Sequence, residues 1–253
     1  MEHDDRPPVA SFVGGGPFAA GAVATLGEGP AHHARVKRLE AGDRIRLTDG
    51  AGRVALGSIA AIRKSSLEIT VHGVTDVPPP APIHLRVPIG DRDRMLWLAE
   101  KATELGISTW QAVRFQRSAS VSPRGEGSQF AEKVRARMVS ALEQSGGAWL
   151  PRMLPDADIT DVAAVAGESG EDEDFRIVLD LHGDPLPLVI GLDARRAPVI
   201  LFGPEGGIEP LERAALESAG WRRARLADTT LRFETAGVAA VAVVRASHML
   251  RET

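Results

Sequence analysis

The chain contains no cysteine. Disulfides, thiolate metal sites and a cysteine nucleophile are therefore excluded, although that absence does not fix the redox compartment. Long apolar runs are missing as well, and the longest ones are too short to span a bilayer, so no membrane partner is expected. The opening MEHDDRPP lacks the basic and then apolar stretch of a signal peptide, which points to a soluble, cytoplasmic protein. A positive net charge is also absent, the formal value being −4. That sum hides an uneven distribution: ten acids fall between Asp156 and Asp184 against Arg176 alone, whereas Ile83 to Arg152 is rich in basic residues. The acidic part at Gly167 to Asp174 reads as a solvated surface loop. A basic face elsewhere can still bind phosphates, because the local field depends on nearby charge.

What is present, above all, is a glycine-rich loop. The apolar run Pro198 to Phe202 reads as a buried strand, and it breaks into Gly203-Pro204-Glu205-Gly206-Gly207 before Pro210 opens a helix. Glycines let backbone N–H and C=O groups approach a flat or anionic ligand, and ligands of open α/β sheets collect at the carboxyl ends of strands. No Lys-Ser or Lys-Thr follows these glycines, so this is no phosphate-binding P-loop; nor does the run fit the dinucleotide pattern G-x-G-x-x-G. Alone, the loop favours a ligand site, with a strand-to-helix turn that binds nothing as the lesser alternative.

With 253 residues the chain can form one large domain or two smaller ones. Short β-like runs at Ala22 to Leu26, Arg44 to Thr48, Val54 to Ala61 and Leu67 to Val71, with turns at Asp49-Gly50 and Gly73, predict a small antiparallel barrel over residues 1–77. Between the first two lies His32-His33-Ala34-Arg35-Val36-Lys37-Arg38, a basic cluster whose bland reading is a short solvated helix. Adjacent histidines point in different directions and no third ligand joins them, so no metal is expected. Residues 78–82 form a proline linker, and a second domain spans 83–253. It contains a strand at Ile83 to Ile89 and a helix at Asp91 to Leu105 closed by Gly106. A further helix from an N-cap at Ser128 to Ser145 follows, then a strand at Phe175 to Leu181. Glu104 opposes the dipole at its helix end and is expected to have a functional or buried partner. Pro210 to Ala219 is a helix, Trp221 to Leu226 a strand, and Thr235 to Leu250 a helix apolar on all sides over its first half, which must be enclosed by protein.

The loop Gly203 to Gly207 and the later Leu231-Arg232-Phe233-Glu234-Thr235-Ala236 resemble the GPEGG and LR-x-ETA loops of SPOUT-class RNA methyltransferases. Within that class the chain is similar to the ribosomal RNA uridine-N3 methyltransferase family (RsmE-like), which also carries a KATELG signature like Lys101 to Gly106. The resemblance implies an α/β fold: a C-terminal SPOUT domain with a mostly parallel sheet and a deep trefoil knot, plus an N-terminal PUA-like β-barrel that helps to hold RNA. It implies S-adenosylmethionine (SAM) as cofactor, ribosomal RNA or the small ribosomal subunit as partner, and a homodimer enclosing the terminal helix.

By the same resemblance the cofactor would lie against Leu201, Phe202, Gly203, Pro204, Glu205, Gly206, Gly207, Leu226, Ala227, Thr230 and Leu231. Catalysis would fall to Arg232, which can stabilise a uridine anion, and to Glu234, which would orient Arg232 through a salt bridge or act as base. Arg35, Lys37, Arg38, Arg117 and Arg152 would touch RNA. Departures from the family are Gln116 for its glutamate, Gly147 and its neighbours where an arginine is usual, Ala227 for a glycine, and Thr229 for an arginine. Two alternatives stay open: an RNA-binding relative without catalysis, and a nucleotide-binding α/β enzyme outside the class.

Overall fold

The computed structural model describes residues 7–120, 125–164, 174–192 and 196–250. The extreme N-terminus and nearly all of the acidic stretch at 167–174 lie outside the described residues, apart from Asp174 at a strand start. Contacts divide the chain into two compact units, the first running to Pro79 and including Val139–Leu150, the second holding Pro80–Met138 and the chain from Pro151 onward.

In the first unit β1 (Ala10–Val13), β2 (Val23–Leu26), α1 (Glu28–Val36), β3 (Arg44–Thr48), β4 (Arg53–Ile62) and β5 (Leu67–Asp76) follow one another. Their sheet has the order β1-β3-β4-β5-β2, and its pairs are antiparallel except β1 with β3, which run parallel. The short β1 was not expected from the sequence, although Pro7-Pro8 and Gly14-Gly15-Gly16-Pro17 bracket it; four residues are too few for a clear alternation. Strand alternation sets the core: Leu67, Ile69 and Val71 are buried while Glu68 and Thr70 are only partly so, and Phe12, Ile45 and Leu47 join them under Ala31 and Ala34 of α1. Gly73 is not a turn. It pairs with Leu56 inside β5, next to a bulge at which Gly57 already faces Val71, so His72 is the extra residue.

The segment Val139–Leu150 belongs to this unit through specific bonds. Val13 N–H donates to Glu143 Oε1 at 3.0 Å, Trp149 Nε1 to Val77 O at 3.0 Å, and Arg46 to Gly147 O at 2.9 Å. Gly52 must be glycine: its φ is +97°, and a Cβ there would lie 2.3 Å from the Trp149 ring.

The second unit contains β6 (His84–Pro88), α2 (Arg92–Glu104), β7 (Thr109–Arg114), a 3-10 helix (Gln116–Ser120) and α3 (Ser128–Ser145), whose last residues belong to the first unit. Then come β8 (Arg152–Met153), β9 (Ala157–Asp158), α4 (Ile159–Ala164), β10 (Asp174–Pro185), α5 (Leu186–Leu192), β11 (Ala197–Phe202), α6 (Pro210–Ser218), β12 (Arg222–Arg225) and α7 (Phe233–Met249). The sheet order is β12-β10-β11-β6-β7-β8, with β9 also on β7, and all its pairs are parallel. Central β11 is continuously buried from Pro198 to Phe202, as expected for a parallel strand covered on both faces.

Asp91 caps α2 by accepting from Arg94 N–H at 3.0 Å, and Gly106 ends it with φ +74°. The Arg245 guanidinium donates to the carbonyls of Leu105, Gly106 and Ala81, satisfying that helix end. Glu104 has an ordinary surface partner, Lys101, at 2.8 Å. Ser128 is the first helical residue of α3 rather than its cap, because Phe130 and Ala131 N–H already bond to Gly127 O. In α7 the residues Gly237, Ala240, Val241 and Val244 are buried, whereas Val238, Ala239, Ala242 and Val243 stay half-buried. Among the described residues no helix is long and apolar enough to cross a membrane.

Candidate functional site

A cleft of about 290 Å³ opens at the carboxyl ends of β10, β11 and β12. Three segments build most of it, the loop after β11, the later part of β10, and the stretch from β12 into α7, and Arg213 of α6 joins them. The β10 contribution comes from a break in register. Leu179 and Asp184 both face Ala224, so residues 180–183 leave the ladder and bulge toward the cleft. Gly183 permits this, since a Cβ there would sit 2.5 Å from Ala224 N.

The glycine loop folds on itself through a hydrogen bond from Gly207 N–H to Pro204 O at 2.8 Å, with Gly207 at φ +77°. It leads into α6, where Glu212 accepts from Glu209 N–H at 2.9 Å and from Gln116 N–H at 2.7 Å. Arg117, in the 3-10 helix, grips the same loop: Nε donates to Glu209 Oε1 at 2.7 Å and the guanidinium to Gly206 O at 2.6 Å.

Of the residues expected to hold a cofactor, Phe202, Gly203, Pro204, Gly207, Leu226, Ala227, Thr230 and Leu231 line the cleft, joined by Thr229. Leu201 does not line it. It is fully buried with Val113, Phe115 and Val199 on the opposite face of β11 from Phe202, because successive side chains of a strand alternate. Glu205 and Gly206 face outward, toward Arg94 and Arg117.

Arg232 is exposed at the N-cap of α7, between the lining residues Leu231 and Phe233. Among the described residues it forms no ion pair with Glu234, so the expected orienting salt bridge is replaced. Glu234 instead faces Arg94, with Nε 3.8 Å from Oε1, and the same guanidinium reaches Glu205 Oε1 at 3.2 Å. Sequence reasoning missed Arg94, although a cation in the first turn of a helix opposes the dipole as Glu104 does at the other end. It also missed Asp180, His182 and Arg213, which line the cleft. Asp180 pairs with Arg213 and accepts from His182 N–H at 2.9 Å. The signal was a polar interruption in an otherwise apolar strand.

The expected RNA contacts separate into two kinds. Arg35 donates to the carbonyls of Arg63 at 2.6 Å and Lys64 at 3.1 Å, and Arg117 holds the glycine loop, so both guanidinia serve the fold. Lys37 and Arg38 are exposed on the first unit, and Arg152 is exposed on the second. Nearby His33 sits edge-on to Phe12 with ring centroids 5.6 Å apart, and 3.9 Å from Glu143. Burial, then Lys37 and His32, pull His33 below its ordinary pKa; burial raises Glu143 despite the Val13 hydrogen bond and Lys37.

The family model for an RNA methyltransferase domain matches residues 77–245, and the one for the RNA methyltransferase PUA domain matches residues 29–71. The chain belongs to this RNA methyltransferase family. Among family members, a ribosomal RNA small subunit methyltransferase E from Mycobacterium bovis is 31% identical over 233 residues, covering 88% of this chain and 86% of its own length. The protein of that name from Aquifex aeolicus is 26% identical over 230 residues, covering 88% and 94%. A crystal structure of the Neisseria gonorrhoeae methyltransferase of the same name, bound to S-adenosyl methionine, superposes with a TM-score of 0.80 at 22% identity, covering 94% of this chain and 97% of that one. At that identity the likeness is one of fold.

Proposed function

We propose that this protein is a SAM-dependent methyltransferase that methylates uridine N3 in small-subunit ribosomal RNA. The observation that carries the reading is that both motif loops, separated in sequence by α6 and β12, line one cleft at the strand ends of a chain in the RNA methyltransferase family. The cleft fits the cofactor chemically. Its walls include apolar Leu179, Phe202, Leu226 and Leu231 for a flat base, with loop backbone for polar edges. SAM would supply an electrophilic methyl group on a sulfonium.

The chain's own residues account for the rest. Uridine N3 becomes nucleophilic when it loses its proton, and the always-charged Arg232 guanidinium stabilises the anion that results. Its exposed position at the cleft edge leaves it available to a substrate arriving from solvent. Glu234 is a candidate to take the N3 proton. Lys37 and Arg38 on the first unit and Arg152 on the second are the phosphate contacts in this reading. The half-buried apolar face of α7 supports a homodimer in which a second copy covers it, and the knot belongs to the same arrangement. A cytoplasmic location follows from a ribosomal substrate.

The test is calorimetric titration with SAM, with ATP and NAD as controls, followed by mass spectrometry of small-subunit RNA for N3-methyluridine. SAM binding and methylated product support the reading. RNA binding without SAM binding would instead mark a non-enzymatic relative.

A further inference from the structure

Arg94 stands where three segments of the second unit converge. It projects from the first turn of α2, its guanidinium 3.2 Å from Glu205 of the glycine loop and 3.8 Å from Glu234 of the segment that opens α7. Gly90, just before α2, makes the approach possible: a Cβ there would lie 3.2 Å from the Phe233 ring and 3.6 Å from Glu205 Oε2. The two carboxylates differ in environment. Glu205 is 34% exposed, so its pairing with Arg94 contributes little by itself. Glu234 is 12% exposed, and its Oε2 is buried without a hydrogen-bond partner among the described residues. Among the described residues a carboxylate so placed depends on the Arg94 cation beside it, and removing that cation costs more than an exposed pair would suggest.

We propose that Arg94 is a positioning residue that ties the cofactor loop to the catalytic segment by bridging Glu205 and Glu234. This rests on the functional reading above. The bridge fixes the spacing between the glycine loop and the start of α7, and with it the width of the cleft and the placement of Arg232. Loss of the bridge should therefore affect both cofactor affinity and turnover, although Arg94 itself is not among the residues that line the cleft.

The experiment measures the SAM Kd, the KM for SAM and kcat for wild type, Arg94→Gln, Arg94→Lys, Glu205→Gln and the Arg94→Gln/Glu205→Gln pair, with thermal melting on each. Expected are a roughly five- to tenfold weaker SAM affinity and a lower kcat for Arg94→Gln. Arg94→Lys should recover part of both, and Glu205→Gln should add less than about twofold once Arg94 is gone, since both remove one contact. A role confined to stability would lower Tm and active fraction but leave the KM for SAM unchanged, which overturns the proposal. Wild-type affinity in Arg94→Gln, or full multiplication of the Arg94 and Glu205 effects, overturns it alone. Failure of the wild type to bind SAM removes the functional reading, and the proposal with it.

Discussion

Gly206→Ala tests how the glycine loop is held. The φ of Gly206 is not in the left-handed region, so alanine brings no backbone strain and the effect is purely one of space. An added Cβ would lie 2.9 Å from Arg117 Cβ and 3.3 Å from Arg117 Cδ. Carbon atoms rest at about 3.5–4.0 Å, so the two segments must part by roughly 0.6 Å. The nearest atom is anchored to the backbone of the 3-10 helix and cannot swing away. That movement loosens the bonds from Arg117 to Gly206 O at 2.6 Å and to Glu209 at 2.7 Å. Both are charge-assisted, but Arg117 is 45% exposed and Glu209 33% exposed, which limits their joint contribution to about 1 kcal/mol. SAM affinity should therefore fall about fivefold, while Tm drops by only about 2–4 °C. Calorimetry and thermal melting read both, and the Gly206→Ala/Arg117→Ala pair should lose less than the sum of its parts because the same bonds are removed. An unchanged Kd in Gly206→Ala would refute the view that Arg117 sets the loop for the cofactor.

Other outcomes are expected elsewhere. Arg232→Ala should abolish methyl transfer, by at least about 100-fold, with SAM affinity within twofold of wild type; normal turnover removes Arg232 from catalysis. Gly237→Ala places a Cβ 2.9 Å from both Leu98 Cδ1 and the Phe202 ring, costing about 1–3 kcal/mol and tilting Phe202 in the cleft wall, so Tm and SAM affinity should fall together. For Glu143 the sign follows from burial: its folded pKa is raised above 4.5, so the folded state binds the proton more tightly than the unfolded chain. That contribution is present below 4.5 and is lost as pH rises through the raised value. Glu143→Gln cannot titrate but still accepts from Val13, so its Tm should gain on wild type as pH rises from about 4.5 to neutrality. His33, shifted the other way, slopes oppositely below 6.5 in both proteins; parallel Tm curves would contradict the assignment to Glu143.

By itself the sequence determined the elements whose signals are local. The continuous apolar run at Pro198 to Phe202, the glycines and Pro210 set strand, loop and helix within a residue of where they lie, because burial on both faces, positive φ and N1 proline are properties of neighbours in the chain. Motif residues such as Phe202, Gly207, Leu226 and Leu231 were grouped through the resemblance to two family loops rather than through any local pattern, and the fold brings them to one cleft. Tertiary structure alone decided the rest. The strands β1, β8 and β9 are short, and their identity comes from a partner strand rather than from their own pattern. The bulge that brings Asp180 and His182 into the cleft exists only because Ala224 faces two residues of β10. Charge pairing is the clearest case. Sequence proximity suggested Arg232 with Glu234, two residues apart, but an N-cap and the second residue of a helix point apart, and the partner arrived from α2, 140 residues away. A guanidinium finds its carboxylate through space, and that distance is set by packing that no local pattern encodes.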